Sequence, residues 1–386
     1  MTGLAPPRLP RVSRLMLGDF RSYRELDLAV SASMVALVGE NGAGKTNVLE
    51  ALSLLAAGRG LRRADLAAMA RTGGPGTFSV SVRLDEGDGG HRLGTGTERS
   101  DGDGLSRRCR VDGTAVPGAS AFAEHLRIVW LTPSLDGLFT GPAGDRRRFL
   151  DRLVLAVDAE HGTRVSALER SLRSRNRLLE EDRPDPSWLD AVEREVAETG
   201  VAVAAARRET VERLAGLIQA GRDETSPFPW AAVALDGALE AELATRPAVD
   251  VEDAFRSLLR RNRARDKAAG RAIDGPQASD LMVRHGPKDV PAGQASTGEQ
   301  KALLIGLVLA HARLVGAMSG MAPLVLLDEI AAHLDPRRRA ALFEALAALG
   351  SQVWMTGADP DAFRSLPAGA ERFEVTPGRI APISGP

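Results

Sequence analysis

The sequence predicts an α/β fold in which one lobe is assembled from both ends of the chain and a helical lobe is inserted between them. Three observations lead to this prediction. A glycine-rich turn follows an apolar strand after residue 38, the spacing of apolar residues becomes helical from 145 to 270, and apolar strands return after 320. We place the halves of the first lobe at 1–144 and 273–386, and the helical lobe at 145–272.

The composition is that of a globular protein. The chain has 386 residues, of which 44% are hydrophobic, enough for a sizeable core. The single cysteine, Cys109, excludes an internal disulfide framework and a cysteine-ligated metal cluster. The formal net charge is −1, so binding to a polyanion requires basic residues to be segregated on one face.

The sequence gives no sign of export or membrane insertion. The opening MTGLAPPRLP has no apolar core of the kind found in signal peptides, and the longest run without a polar residue, 302–310, is too short to span a bilayer. We therefore expect a soluble, cytoplasmic protein that has no membrane partner.

The N-terminal half is predicted to be rich in β-strands. Residues 11–38 form short strands, and residues 77–131 form an antiparallel region with a turn at Asp112-Gly113. The glycine- and aspartate-rich stretch 87–104 is expected to be a loose hairpin tip. Together these elements predict an antiparallel β subdomain in the N-terminal half of the first lobe.

The middle of the chain is predicted to be almost wholly helical. Two long helices, the second over 188–218, form a short arm; some 30 helical residues span about 45–50 Å. The apolar stripes on these helices fit a projecting arm and plain core packing equally well. Residues 274–295 contain three prolines and several glycines, so we expect a loop there.

The most specific motif lies between the apolar strand 35–38 and the following helix, and it fits the P-loop pattern G-x-x-x-x-G-K-[ST]. Its glycines let successive backbone N–H groups turn toward phosphates, and the helix N-terminus adds positive potential. Lys45 is expected to reach the β- and γ-phosphates, and the Thr46 hydroxyl to hold Mg²⁺. The predicted nucleotide-binding residues of this segment are Gly39, Glu40, Asn41, Gly42, Ala43, Gly44, Lys45 and Thr46.

Two acidic residues follow the apolar strand 324–327. Ligands of parallel sheets bind at the carboxyl ends of the strands, so Asp328 is a candidate for the Mg²⁺ shell and Glu329 for the general base that activates water. Acidic residues at this point are also typical of a helix start. The P-loop elsewhere in the chain favours the catalytic interpretation.

A second candidate anion site precedes the apolar run 302–310. The segment Ser296-Thr297-Gly298-Glu299-Gln300-Lys301 combines hydroxyls, a glycine and a helix N-terminus. The same residues also fit an ordinary capping box, in which the serine or threonine is the N-cap and the acidic or amide residue completes it. The two interpretations are compatible.

The order of these motifs resembles the ABC ATPase superfamily, in which 296–301 corresponds to the signature motif and 332–335 to the D-loop. This resemblance implies that Ser296 and Gly298 of one chain cap the γ-phosphate held by the P-loop of another. It also implies that Asp335 lies at the interface between the two chains. The expected assembly is an ATP-dependent homodimer that closes over two Mg-ATP sites.

Transporter ATPase subunits have no long insert between the P-loop and the signature motif, whereas this chain has one before Ser296. The chain therefore resembles the chromosome-maintenance branch of the superfamily, with a shortened arm. Within that branch the chain resembles the RecF family in several stretches. These are FRSY (20–23), NGAGKTNVLEALSLL (41–55), Gly58-Arg59, Pro133 with Asp136, RRRFLD (146–151) and VWMTGAD (353–359). The chain departs from the family in GPQASDL (275–281), which lacks the usual His and Arg, and in its signature S-T-G-E-Q-K.

The resemblance implies an ATP-dependent DNA-binding protein of recombinational gap repair and replication restart, part of the SOS response. Such a protein binds double-stranded DNA and junctions with single strands, assists RecA loading with RecR and RecO, and has weak DNA-stimulated ATPase activity. The alternatives are a nucleotide-switched clamp like the SMC chromosome proteins and the energy-coupling subunit of a transporter. The transporter interpretation needs a closer spacing of motifs than this chain has.

Clusters of arginine are the candidates for DNA contact, because arginine pairs phosphates without reading sequence. The alternative is a solvated helix face in an arginine-rich chain. Aromatic residues make up only 4% of the chain, which argues against a dedicated single-strand binder. The candidates are Arg170, Arg173, Arg175 and Arg177 on one helix, Arg260, Arg261, Arg263 and Arg265 further on, and Arg59, Arg62 and Arg63 after the P-loop helix.

Overall fold

A computed structural model describes residues 8–85, 89–99, 104–330 and 334–383. The chain divides into two compact units. The first consists of Met1–Asp136, Glu224–Pro229 and Ser296–Pro386, and the second of Gly137–Asp223 and Trp230–Ala295. The second unit therefore extends further at both ends than the helical lobe predicted at 145–272.

The secondary structure alternates between the two units along the chain. The strands are β1 (Arg11–Phe20), β2 (Tyr23–Ala29), β3 (Met34–Val38), β4 (Ser79–Asp85), β5 (Arg92–Arg99), β6 (Leu105–Val111), β7 (Thr114–Val116), β8 (Ile128–Leu131), β9 (Ala231–Asp236), β10 (Asp280–His285), β11 (Val290–Pro291), β12 (Leu324–Leu327), β13 (Val353–Gly357), β14 (Glu371–Thr376) and β15 (Arg379–Pro382). The helices are α1 (Lys45–Ser53), α2 (Leu66–Met69), α3 (Ala143–Val157), α4 (His161–Glu180), α5 (Pro186–Ala220), α6 (Ala238–Glu242), α7 (Ala248–Arg261), α8 (Arg263–Ala269), α9 (Thr297–Ser319) and α10 (Pro336–Ala348).

The first unit contains two six-stranded sheets. One is antiparallel, with the order β2-β1-β4-β5-β6-β7, and the other has the order β15-β14-β3-β13-β12-β8. In the second sheet all neighbouring strands are parallel except β14 and β15. Strands buried on both faces must be apolar throughout, and β3, β8 and β12 are buried at every residue. The α/β class and the antiparallel subdomain are thus confirmed.

The predicted loose hairpin tip at 87–104 was wrong in its centre. Strand β5 occupies Arg92–Arg99 and pairs with both β4 and β6. Alternating glycines and threonines hid this strand, because glycine is rare in strands and usually marks a turn. Residues 87–88 and 100–103 of the predicted tip lie outside the described residues. The turn at Asp112-Gly113 is confirmed, with both residues in the left-handed region.

The second unit is held by a helical core with a small sheet. Helix α5 is 35 residues long, and its buried residues Val196 and Val203 pack with Leu168 of α4 and Phe255 of α7. Along these residues the apolar stripe is core packing. The predicted loop at 274–295 was wrong where β10 forms, and the helical stretch was wrong where β9 forms. The two strands pair in an antiparallel sheet with β11.

Arg175 is the most deeply buried charge of the second unit. Its side chain is fully buried and donates to Glu193 at 2.9 Å, Asp266 at 2.7 Å and the carbonyl oxygen of Leu259 at 2.8 Å. Buried charges persist in proteins when they are paired in this way. The prediction that Arg175 belongs to a DNA-contacting surface cluster was therefore wrong, because no phosphate reaches it in this fold.

The RRRFLD segment ties α3 to other elements of its unit. Arg146 forms a bidentate ion pair with Asp280 at the start of β10. Asp151 accepts hydrogen bonds from Arg207 of α5 and from His161. Burial alone would raise the pKa of Asp151, but these hydrogen bonds outweigh it and lower the pKa. The segment is thus part of the framework of the second unit.

Helix α9 contains the apolar run 302–310. Within the described part of the chain it is the one helix long and apolar enough to cross a membrane, and 67% of its most apolar window is buried inside the structure. A core helix of a soluble protein has the same length and composition, so this feature is weak grounds for a membrane span.

Candidate nucleotide site

The P-loop joins the buried strand β3 to helix α1, the arrangement that its motif requires. Gly42 and Gly44 have φ angles of 86° and 112°, in the left-handed region that favours glycine. A Cβ atom on Gly44 would lie 2.8 Å from the Ser22 hydroxyl oxygen and 3.0 Å from that of Tyr23. Glycine is therefore required at position 44 both by the backbone and by its neighbours.

The FRSY segment supports this loop from behind. The Tyr23 hydroxyl donates to the carbonyl oxygen of Gly44 at 3.2 Å, and burial raises the pKa of that hydroxyl. Arg21 forms a bidentate pair with the buried carboxylate of Glu50 in α1. The Asn47 amide donates to the Ser22 hydroxyl at 3.0 Å. These contacts fix the start of α1, whose first residues, Lys45 and Thr46, line the P-loop cavity.

Lys45 is nearly buried and held at the mouth of the loop. Its ammonium group donates to the carbonyl oxygens of Gly39 at 2.6 Å and Glu40 at 3.0 Å. It also lies 3.4 Å from the Glu329 carboxylate. An ammonium group has three N–H donors, which can serve the loop and a phosphate together. The fold thus brings Lys45 and Glu329 together, as the sequence predicted.

Oxygen ligands suited to Mg²⁺ meet beside the P-loop. The Thr46 hydroxyl donates to Asp328 Oδ1 at 2.9 Å, although the two residues are far apart in sequence. Asp328 follows β12, whose carboxyl end lies beside those of β8 and β13. A hydroxyl and a carboxylate are the protein ligands that P-loop enzymes supply to Mg²⁺, so the donor set fits this ion.

Glu329 has a strained backbone. Its φ angle is 52°, in the left-handed region that non-glycine residues rarely adopt, and such strain concentrates at functional sites. Its N–H donates to the hydroxyl of Thr356 at 2.9 Å. The carboxylate is one quarter exposed and faces the P-loop cavity. A partly exposed carboxylate beside Lys45 can activate water.

These residues surround a cavity of about 400 Å³. The sequence predicted most of the residues that line this cavity but missed Asn47, Pro133 and Arg62. The Arg62 guanidinium donates to the Asn47 side chain at 2.9 Å and to the Glu50 carboxylate at 2.9 Å. Arg62 was a DNA candidate, and no sequence signal placed it against the P-loop helix. The lining residues are Asn41, Gly42, Gly44, Lys45, Thr46, Asn47, Arg62, Pro133 and Glu329.

The signature segment forms a capping box at the start of α9. Ser296 is the N-cap, and its N–H and hydroxyl donate to the Glu299 carboxylate at 3.0 and 2.9 Å. Gly298 is exposed, and a Cβ atom there would have its nearest neighbour at 3.7 Å, the guanidinium of Arg338. Packing within the chain therefore does not require glycine at 298. The predicted capping alternative is confirmed and leaves the Ser296–Gly298 surface open.

Asp335 is the exposed N-cap of α10. Its carboxylate accepts a hydrogen bond from the backbone N–H of Arg338 at 2.9 Å, and this bond lowers the pKa of Asp335. Residues 332 and 333 of the predicted D-loop lie outside the described residues. Among the described residues that line the P-loop cavity, Ser296, Gly298 and Asp335 do not appear. Within the part of the chain that the structure describes, the signature segment does not line this cavity.

The arginine candidates for DNA contact separate into two groups. Arg263 is engaged by Glu193 at 2.6 Å and by Asp190, and Arg265 is paired with Asp274. Internal ion pairs therefore engage both charges, although the Arg265 side chain is half exposed. The remaining candidates of this unit are exposed, namely Arg170, Arg173 and Arg177 on α4 and Arg260 and Arg261 at the end of α7.

The arginine candidates on the surface form only loose or solvent-exposed ion pairs. The carboxylates nearest to Arg173 and Arg260 lie at 3.9 and 3.8 Å, in Glu169 and Asp190, and both arginines are about two-thirds exposed. Arg59 pairs with Asp65 at 2.9 Å on the surface. Arg63 is exposed and has a φ angle of 54°.

Comparisons with known proteins agree with this geometry. The family model described as the RecF/RecN/SMC N terminal domain matches residues 11–369. A DNA replication and repair protein RecF from Mesorhizobium japonicum is 54% identical over 376 residues, covering 97% of this chain and 99% of that protein. The protein of the same name from Rhizobium meliloti is 52% identical over 370 residues, covering 96% and 98%.

Solved structures share the fold. A structure of the recombination mediator protein RecF with ATP, in the RecFOR pathway, has a TM-score of 0.80 at 19% identity and covers 97% of this chain and all of that one. The Smc head domain of Pyrococcus furiosus, bound to part of ScpA, has a TM-score of 0.52 at 15% identity and covers 97% of each chain. The likeness to the first fold is much closer.

Proposed function

This chain belongs to the RecF family of DNA replication and repair proteins, and from that membership we propose that it is an ATP-dependent DNA-binding protein of gap repair and replication restart. In this proposal two chains close over two Mg-ATP molecules, and the closed dimer holds DNA. Hydrolysis removes the interaction with the γ-phosphate and lets the dimer open. The site of action is the cytoplasm, at the nucleoid.

One observation carries the proposal of a dimer. The P-loop cavity is open, and the exposed Ser296 and Gly298 are not among its described lining residues. A bare glycine that packing within the chain does not require suits the close approach of another molecule's phosphate. A second chain would supply this surface from the far side of the nucleotide.

Lys45, Thr46, Asp328 and Glu329, which together we call the nucleotide cradle, have separate tasks in the reaction. Lys45 holds the β- and γ-phosphates, and Thr46 with Asp328 would hold the magnesium ion, which neutralises charge on the phosphates. Glu329 accepts a proton from the attacking water. Its carboxylate, 3.4 Å from the Lys45 ammonium, is within reach of the same phosphate end.

The DNA-binding part of the proposal rests on the exposed arginines. Arg170, Arg173 and Arg177 follow one another at helical spacing on α4 and so share one face. Together with Arg260 and Arg261 they suit the backbone of double-stranded DNA or of a junction with single strands. RecR and RecO are the proposed partners in assisting RecA loading, because solved RecF proteins are described within the RecFOR pathway.

The proposal is tested by ATPase assays with and without gapped duplex DNA, on the wild-type protein and the Glu329→Gln variant. We expect weak hydrolysis that DNA stimulates, and its loss in the variant while ATP binding persists. Tight DNA binding with no turnover by the wild-type protein under any condition would contradict the enzymatic part. Turnover that DNA leaves unchanged would contradict the coupling to DNA.

A further inference from the structure

Thr356 lies beside Asp328 and Glu329, although no role in the site was predicted for the VWMTGAD segment that contains it. It is the second-to-last residue of β13, which runs parallel to β12 with Met355 paired to Leu327. Thr356 therefore comes level with Asp328, just beyond the carboxyl end of β12. Its side chain is fully buried.

The hydroxyl of Thr356 joins the two acidic residues. It lies 2.9 Å from the backbone nitrogen of Glu329 and 2.8 Å from Asp328 Oδ1. An N–H group can only donate, so the hydroxyl oxygen accepts from Glu329. An ionised carboxylate can only accept, so the single hydroxyl proton goes to Asp328. Both directions are thus fixed by chemistry.

Each of these bonds acts on a group with a task. Asp328 Oδ1 receives hydroxyl protons from Thr46 and Thr356, which together fix the orientation of the carboxylate. Glu329 has a φ angle of 52°, a conformation that persists when the surroundings hold it. The bond from its N–H to Thr356 provides such a hold and directs the side chain toward Lys45.

We propose that Thr356 is a positioning residue of the hydrolytic site, whose hydroxyl orients Asp328 toward the magnesium ion and holds the Glu329 backbone for water activation. The inference rests on the proposed hydrolysis of ATP and deepens it. Partners that orient metal-binding carboxylates act through hydrogen bonds, and their loss costs about 10–100-fold in metal affinity or activity. Thr356 is fully buried and is not among the described residues that line the P-loop cavity, so its effect on that site passes through Asp328 and Glu329.

Valine and serine substitutions separate this role from packing. Thr356→Val keeps the branched shape and removes both hydrogen bonds, whereas Thr356→Ser keeps the hydroxyl and removes a methyl group. A matched control is Thr210→Val, which removes an equally buried hydroxyl that bonds only to the Ala206 carbonyl of its own helix. A merely structural threonine would tolerate valine at least as well as serine.

The experiment uses the full-length chain and measures kcat, KM for ATP and the Mg²⁺ concentration that half-saturates binding of a fluorescent ATP analogue. For Thr356→Val we expect kcat to fall by about 10–100-fold and the Mg²⁺ half-saturation to rise by about tenfold, with KM little changed. Thr356→Ser should stay close to wild type in all three, as should Thr210→Val. Thermal melting shows that each variant is folded.

Two results would overturn the inference: wild-type kcat and Mg²⁺ half-saturation in Thr356→Val, or an equal fall in the serine variant. If the wild-type protein fails to hydrolyse ATP, the proposed ATPase activity fails instead. The binding measurement with Mg²⁺ then still decides whether the Thr356 hydroxyl orients Asp328.

Discussion

The nucleotide cradle of the first unit and the basic clusters of the second unit were both predicted from residue patterns, and they differ in the structure. In the cradle, Lys45, Thr46, Asp328 and Glu329 meet at one cavity. In the second unit, Arg175 and Arg263 are bound by acidic residues of their own fold. A motif that specifies backbone geometry also determines where its side chains lie. A cluster of like charges in the sequence does not determine whether those charges pair with acidic residues of the same fold or face solvent.

The largest expected effect is at the cradle. Lys45→Ala should weaken ATP binding by at least about 30-fold, because truncating one partner of a buried charge pair costs about 2–5 kcal/mol and each 1.4 kcal/mol is tenfold. Nucleotide titration by calorimetry measures this. The exposed Lys288→Ala is the control. Near-normal affinity in the Lys45 variant would mean that the cradle is not the binding site.

The next effect concerns the buried arginine. Arg175→Met should lower the free energy of unfolding by about 3–5 kcal/mol, since it leaves Glu193 and Asp266 buried without this partner. Chemical denaturation measures the change. Arg173→Met, exposed on the same helix, should be close to neutral. Equal effects in the two variants would contradict the distinction between framework and surface arginines.

DNA binding sharpens the same distinction. Replacing Arg170, Arg173 and Arg177 by glutamine should weaken duplex binding and reduce the slope of log affinity against log salt by about one for each phosphate that no longer has a basic partner. Arg263→Gln should leave the slope unchanged, because its charge is already engaged. Fluorescence anisotropy over a salt series gives both slopes. The reverse pattern would move the DNA-binding surface to α8.

The smallest expected effect is a pH dependence in the framework of the second unit. Burial opposes ionisation of Asp151, but His161 and Arg207 lower its pKa below the unfolded value of about 3.9. Its ionised form therefore contributes stability above about pH 4, and this contribution is lost as the pH falls through the lower, folded pKa.

Denaturation of the wild-type protein and of Asp151→Asn over a pH series measures this effect. The stability difference between them should shrink as the solution is acidified. A difference that stays constant from neutral to acidic pH would show that ionisation of Asp151 contributes nothing.

The sequence could predict the cradle because its information is local. The glycines, the lysine and the flanking β3 and α1 follow directly along the chain, and the acidic pair follows an apolar strand. The contact of Thr46 with Asp328 needed only the rule that ligands bind at the carboxyl ends of parallel strands.

Other features depended on tertiary contacts that the sequence does not encode locally. Arg175 was predicted to lie in a surface cluster, but acidic partners from α5 and α8 hold it in the core. Strand β5 was hidden by its glycines, and β10 by the prolines and glycines around it. The role of Thr356 required the register of β13 against β12.

The central claim is that a second chain completes the ATP site, and sedimentation velocity of the Glu329→Gln variant tests it most directly. With saturating Mg-ATP this variant should accumulate as a dimer, because it binds ATP and lacks the group that activates water. The same variant carrying Ser296→Ala should bind ATP and remain monomeric. A Glu329→Gln protein that stays monomeric with saturating Mg-ATP and DNA would contradict the account.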